Sequence, residues 1–167
     1  MEETILGLDL STTETGYCLA VNGTITEVGI IKPSPKLDRF EKIIYIAEEA
    51  MKLIKSKKVD ELVIEDIYLA WVDAYGVLAR LQGAMIYMWY KCKLRPLLIY
   101  SCTTARKNIG IKGNSKKKEV IQIINDRLGI NLKNDNEADA IVLILNYLKE
   151  QGQIEVLVTD EVKNGRE

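Results

Sequence analysis

Asn22-Gly23 constrains this chain more than any other pair of residues, because a tight type I′ hairpin needs positive φ at both central positions and Asn-Gly tolerates it. Gly16 to Val21 precedes the pair and Thr24 to Ile31 follows it, both apolar and rich in strand-forming residues. Ahead of them Thr4 to Asp9, TILGLD, is a further short β-rich run, set off by the turn Ser11 to Glu14. Pro33 and Pro35 end the third run, since proline donates nothing to a ladder. The chain therefore opens as a three-strand antiparallel meander, a sheet that later segments must cover.

Those segments alternate. Leu37, Phe40, Ile43, Ile44, Ala47, Ala50, Met51 and Ile54 recur at intervals of three and four, which predicts a helix from Leu37 to Ile54. Asp60 to Ile67, DELVIEDI, reads as a buried strand, about Ala74 to Lys91 as a second long helix, and Leu94 to Tyr100 as the fifth strand. Ser101 to Asn114 reads as a loop containing glycine and lysine, and Ser115 to Leu128 as a helix capped by Gly129. A last helix starts at Asp135 or Asn136 and ends near Glu150. With 167 residues we expect one domain, 1–150, and a tail, 151–167, whose QIEVLVTD is either an extra edge strand or the start of a partly disordered end. The order predicts an α/β fold: a five-stranded mixed sheet, the three-strand meander plus two parallel strands, flanked by helices. That is the element order of the ribonuclease H-like fold.

Composition removes whole classes of chemistry. The chain has no histidine, so Ser-His and Cys-His nucleophiles, histidine bases and most catalytic zinc sites are excluded, leaving hydrolysis to carboxylates and hard metals. Cys18, Cys92 and Cys102 form no C-x-x-C pair and are expected to be small buried hydrophobes. No apolar run approaches a membrane span, and MEETILGLDL lacks the basic and apolar regions of a signal peptide, so a cytoplasmic location is expected. Net charge is only -1, but between Ser101 and Lys118 six basic side chains, Arg106, Lys107, Lys112, Lys116, Lys117 and Lys118, occur with no acid among them. Such a stretch suits phosphate contacts, although a solvated helix start accounts for exposed lysines equally well.

Three acidic groups stand out. Asp9 sits within ILGLDL, where an ionised carboxylate is costly unless paired, hydrated or metal-bound, or unless it caps the following turn. Glu65 and Asp66 end the VIEDI strand on opposite faces, so only one can join Asp9, and alternation alone does not say which. Asp135, Asn136, Glu137 and Asp139 crowd the start of the last helix, where capping and the helix dipole already favour acids. Asp139 differs, being followed at once by Ala140, Ile141 and Val142. Carboxylates gathered from three distant segments repel unless cations neutralise them, and two divalent ions at such a cluster suit in-line phosphodiester hydrolysis.

The series ILGLDLSTTETGYCLA, LVIEDI, a long helix, GNSKKKEV and NEADAIVL resembles the RuvC-type Holliday junction resolvases, including the short phage forms, over about residues 4 to 148. The resemblance matches Asp9, Glu65 and Asp139 to the family's acidic site; Asn136 stands where the family often has a second acid, leaving Asp135, Asn136 or Glu137 as fourth ligand. It implies Mg²⁺, with Mn²⁺ able to substitute, symmetric nicking of four-way DNA junctions, and a homodimer formed through the 74–91 helix. Tyr68, Leu69 and Trp71 fall where the family inserts apolar side chains into the junction, with internal packing as their alternative. Two other functions stay open. One is a non-catalytic junction or DNA-binding relative; the other is an actin-like or sugar-kinase-like nucleotide-binding domain, since DLSTTETG also resembles that superfamily's phosphate hairpin. A ribonuclease H or transposase-like nuclease would use the same chemistry on other substrates.

Overall fold

The computed structural model describes residues 3–67, 72–93, 95–153 and 155–164, with the side chains of 72–74 outside that description. The meander forms as β1 (Thr4–Asp9), β2 (Thr15–Val21) and β3 (Thr24–Ile31), and Asn22 and Gly23 turn the hairpin at φ of 49° and 76°. Two further strands, β4 (Glu61–Glu65) and β5 (Leu98–Tyr100), extend the sheet in parallel beyond β1. The order β5-β4-β1-β2-β3-β6 includes a sixth strand, β6 (Leu157–Val158), parallel to β3. Among the described residues the sheet is therefore six-stranded, not five-stranded. The tail supplies the extra strand because Thr159 N–H reaches Ile25 O at 3.0 Å and the Gln153 amide donates to Gly23 O at 3.1 Å.

Side-chain alternation sorts the sheet into two cores. Leu6, Leu8, Leu62 and Ile64 point to the layer formed by α1 (Arg39–Ser56) and α2 (Val72–Lys93). Ile5, Cys18, Ala20 and Val63 point to the layer formed by α3 (Cys102–Asn108), α4 (Lys117–Leu128) and α5 (Asp135–Glu150). Helix α1 begins one residue after Asp38, whose carboxylate accepts from the Phe40 and Glu41 amides while Glu41 reaches back to the Asp38 N–H. Helix α5 is buried without a break from Ala138 to Leu148, because the sheet covers one side and α3 and α4 the other. A short α6 (Asp160–Lys163) closes the described chain.

Three local expectations change. Residues 101–114 are not all loop, since α3 occupies seven of them; about two turns are too short to show a helical period. Helix α4 starts at Lys117 rather than Ser115, where the Glu119 carboxylate accepts the Lys116 N–H at 3.0 Å. Strand β5 begins only at Leu98, after Pro96, which cannot join a ladder.

Candidate active site

Asp9 is the last residue of β1 and lies on the α5 side of the sheet with Ile5 and Gly7, whose missing Cβ would sit 2.9 Å from Ala140 O of α5. The parallel register pairs Ile5 with Glu61 and Gly7 with Val63, so its next same-face step sets Asp9 beside Glu65. Tertiary pairing thus resolves what alternation left open: Glu65 shares the face of Asp9, and Asp66 does not. Just past β4, Asp66 instead donates its N–H to Tyr100 O at 2.8 Å.

The third acid arrives on α5. The helix approaches the sheet over Gly16, the register partner of Asp9, where an added Cβ would lie 2.0 Å from Asn136 O and 2.3 Å from Asn136 C. Only glycine permits that contact. The start of the helix is then tied to the β1–β2 turn: Asn134 caps it by accepting the Asn136 N–H at 2.8 Å, and its amide donates to Glu14 Oε2 at 3.0 Å. The Asn136 side chain donates to Glu14 O at 2.8 Å. One turn on, Asp139 is buried, its Oδ1 accepting from Arg106 Nη2 of α3 at 2.6 Å, with Cys102 Sγ at 3.9 Å.

The three carboxylates feel one another. Burial raises the Asp9 carboxyl well above the usual carboxylate range; the Glu65 carboxyl within hydrogen-bonding reach adds to this, as do the negative charges of Glu65 and Asp139, against an opposing pull from Lys117. Burial likewise raises the Cys102 thiol, with the charges of Glu65, Asp139 and Asp9 acting in the same direction, so it stays protonated. Lys117 is held above its usual value first by its hydrogen bond to Asp135 and further by the fields of Asp139 and Asp9. Lys117 therefore lies within the field of the acid cluster.

A family model for the crossover junction endodeoxyribonuclease RuvC matches residues 5–147. The chain belongs to the RuvC family. It is 27% identical over 154 residues to a RuvC from Sulfurovum sp. (strain NBC37-1), covering 87% of this chain and 94% of that one. It is 28% identical over 156 residues to a RuvC from Campylobacter concisus (strain 13826), covering 86% and 94%. Among solved structures it superposes on Thermus thermophilus RuvC in complex with a Holliday junction substrate with a TM-score of 0.71 at 14% identity, over 90% of this chain and 97% of that one. The fold is ribonuclease H-like, the mixed α/β type expected from the element order.

Family members are metal-dependent nucleases, and the donor set here suits a hard cation. Asp9, Glu65 and Asp139 offer carboxylate oxygens and no imidazole. Among the described residues no three His, Cys, Asp or Glu side chains form a ready-made cage.

The other expected residues divide. Lys107, Lys112, Lys116, Lys117 and Lys118 are all exposed, but Arg106 is not: it is 9% exposed and paired with Asp139, which corrects its expected place among surface phosphate contacts. A charge count along the chain cannot see that α3 turns this one side chain inward. Glu137 lies about 200° around α5 from Asp139 and lines a cavity of about 950 Å³ beside β3, with Thr26, Glu27, Lys133 and Glu161. Tyr68, Leu69 and Trp71 lie outside the described residues. Cys102, expected only as packing, stands against the acids; no signal in the sequence marks it apart from its place after the β5 strand. No helix of the described residues is long and apolar enough to cross a membrane.

Proposed function

We propose that this chain is a metal-dependent endonuclease that resolves four-way DNA junctions by paired, symmetric nicks. One observation carries the reading: in a RuvC-family fold, Asp9, Glu65 and Asp139 converge from β1, β4 and α5 on one face of the sheet, beside a run of exposed lysines. Asp9 and Glu65, with Asp139, would hold Mg²⁺, or Mn²⁺ in its place. Bound there, the metal would acidify the attacking water and stabilise the departing 3′ oxygen of an in-line displacement. The protein's own share is positional. Strands β1 and β4 hold two carboxylates rigidly in register, and Gly16 lets α5 bring the third within range. Asn136 fastens the β1–β2 turn to α5 through Glu14 and so serves the site as a brace, while Glu137 faces a different cavity. Lys107, Lys112, Lys116, Lys117 and Lys118 would contact the phosphate backbone, which positions DNA without reading its sequence. Lys117, within the field of Asp9 and Asp139, would also offset charge at the scissile phosphate.

The active form in this reading is a homodimer through α2. Leu81, Met85 and Trp89 bury one stripe of that helix, while Ile86, Tyr87 and Tyr90 on α2 and Phe40, Ile44 and Tyr45 on α1 remain exposed. Large apolar side chains left exposed on these two helices suit burial against a partner. Two subunits would then place two sites on one junction, in the cytoplasm where such DNA arises. The test is a synthetic four-way junction incubated with and without Mg²⁺, with the nicks mapped. Symmetric, metal-dependent paired cuts support the reading; binding without cutting would make the chain a non-catalytic relative, and equal cutting of linear duplex would remove junction selectivity.

A further inference from the structure

Arg106 differs from every other cation of its segment. The lysines around it are exposed, whereas Arg106 and Asp139 form an ion pair whose side chains are 11% and 12% exposed. Nη2 donates to Asp139 Oδ1 at 2.6 Å and Nη1 to Ser115 O at 3.3 Å, while the buried Nε has no partner. A buried guanidinium with an unused donor is costly, so its position calls for compensation. The compensation lies in the acid cluster: Asp9, Glu65 and Asp139 converge in a half-dry site, and a cation must balance them.

We propose that Arg106 is the resident counter-cation of this cluster and that a divalent metal competes with it for Asp139. The inference rests on the reading of the cluster as a metal site. Asp139 Oδ1 already accepts a 2.6 Å bond from the guanidinium, so a divalent ion drawn to the same carboxylate meets a like charge close by, and the two cations compete for its negative charge. Arginine suits that competition. It keeps its charge at any working pH, and its fork lets Nη1 remain on Ser115 O when Nη2 lets go. The metal-free site is thereby held together, and metal affinity is lowered by whatever free energy the Arg106–Asp139 pair contributes, a coupling that is reciprocal.

The test measures metal binding rather than cleavage. Free Mn²⁺ is counted by electron paramagnetic resonance during titration of the full chain, for wild type, Arg106→Gln, Arg106→Lys and Asp9→Asn. Arg106→Gln is expected to bind Mn²⁺ more tightly, by about 5- to 150-fold, the usual span of such couplings, with Arg106→Lys between it and wild type. In wild-type protein the ¹⁵N signal of Arg106 Nε should move during a Mg²⁺ titration, with the same midpoint as binding; this holds the proposal open to refutation if Arg106→Gln does not fold. Equal or weaker Mn²⁺ binding by Arg106→Gln overturns the proposal, as does an Arg106 signal unmoved at saturating Mg²⁺. Binding abolished by Asp9→Asn but indifferent to both Arg106 substitutions overturns the counter-cation alone. No binding in any protein overturns the metal reading and the proposal with it.

Discussion

Replacing Gly16 by alanine tests whether the approach of α5 to the sheet sets the site. The new Cβ would meet Asn136 O at 2.0 Å and Asn136 C at 2.3 Å, about 1.4 Å short of ordinary contact at 3.4 Å. Both are backbone atoms of a helix start held by Asn134 and Asn136 to Glu14, so no side chain can rotate away. The helix must retreat by roughly an ångström, carrying Asp139 from Asp9 and Glu65. Overpacking of this kind costs about 1–3 kcal/mol. A loss near 2 kcal/mol lowers the melting midpoint by roughly 4–8 °C in a domain of this size. Misplacing a reacting geometry by about 1 Å costs on the order of 10²-fold in rate, so junction cleavage should fall by that factor at temperatures where the variant is folded. Gly7→Ala is the control: its nearest atoms, Ala140 O at 2.9 Å and the movable Ile144 Cγ1 at 3.0 Å, leave a shortfall of only about half an ångström, and its rate loss should be several-fold smaller. Single-turnover cleavage of a labelled junction, with urea melts of each variant, measures both quantities. Wild-type cleavage by Gly16→Ala, or equal losses in the two variants, would refute the argument.

Asp9→Asn, Glu65→Gln and Asp139→Asn should each abolish metal-dependent cleavage while leaving junction binding in a gel-shift assay largely intact. Asp139→Asn should also destabilise the fold by about 3–5 kcal/mol in urea melts, because it leaves buried Arg106 without its counter-charge. Neutralising Lys116, Lys117 and Lys118 together should weaken DNA binding and flatten its dependence on salt, read as the slope of log K against log salt; an unchanged slope would remove them from the DNA surface. Tyr87→Glu, on an α2 position 65% exposed, should convert a dimer to a monomer in sedimentation without shifting the melting midpoint of the monomer. In chelator, the folded state holds the Asp9 proton more tightly than the unfolded chain does. It therefore binds more protons from about pH 4 up to the raised folded value, and stability should decline with rising pH across that window; Asp9→Asn should remove that part of the decline.

The sequence by itself determined the elements that local chemistry dictates. Asn22-Gly23 announces the hairpin because its backbone tolerates positive φ, the recurrence of Phe40, Ile43, Ala47 and Ile54 announces α1, and the lack of histidine leaves the chemistry to carboxylates. Asp9, Glu65 and Asp139 were legible as candidates because the motifs around them resemble a known family. Tertiary structure supplied the physical reason these acids meet. The choice of Glu65 over Asp66 comes from the parallel register of β4 on β1, a pairing across more than fifty residues that no local pattern encodes. The inward turn of Arg106 is of the same kind, for in sequence it belongs to a basic run and only the packing of α3 against α5 reveals the buried carboxylate opposite it. Side-chain type and spacing fix what a segment prefers; partners brought together by long-range packing decide what a charged group becomes.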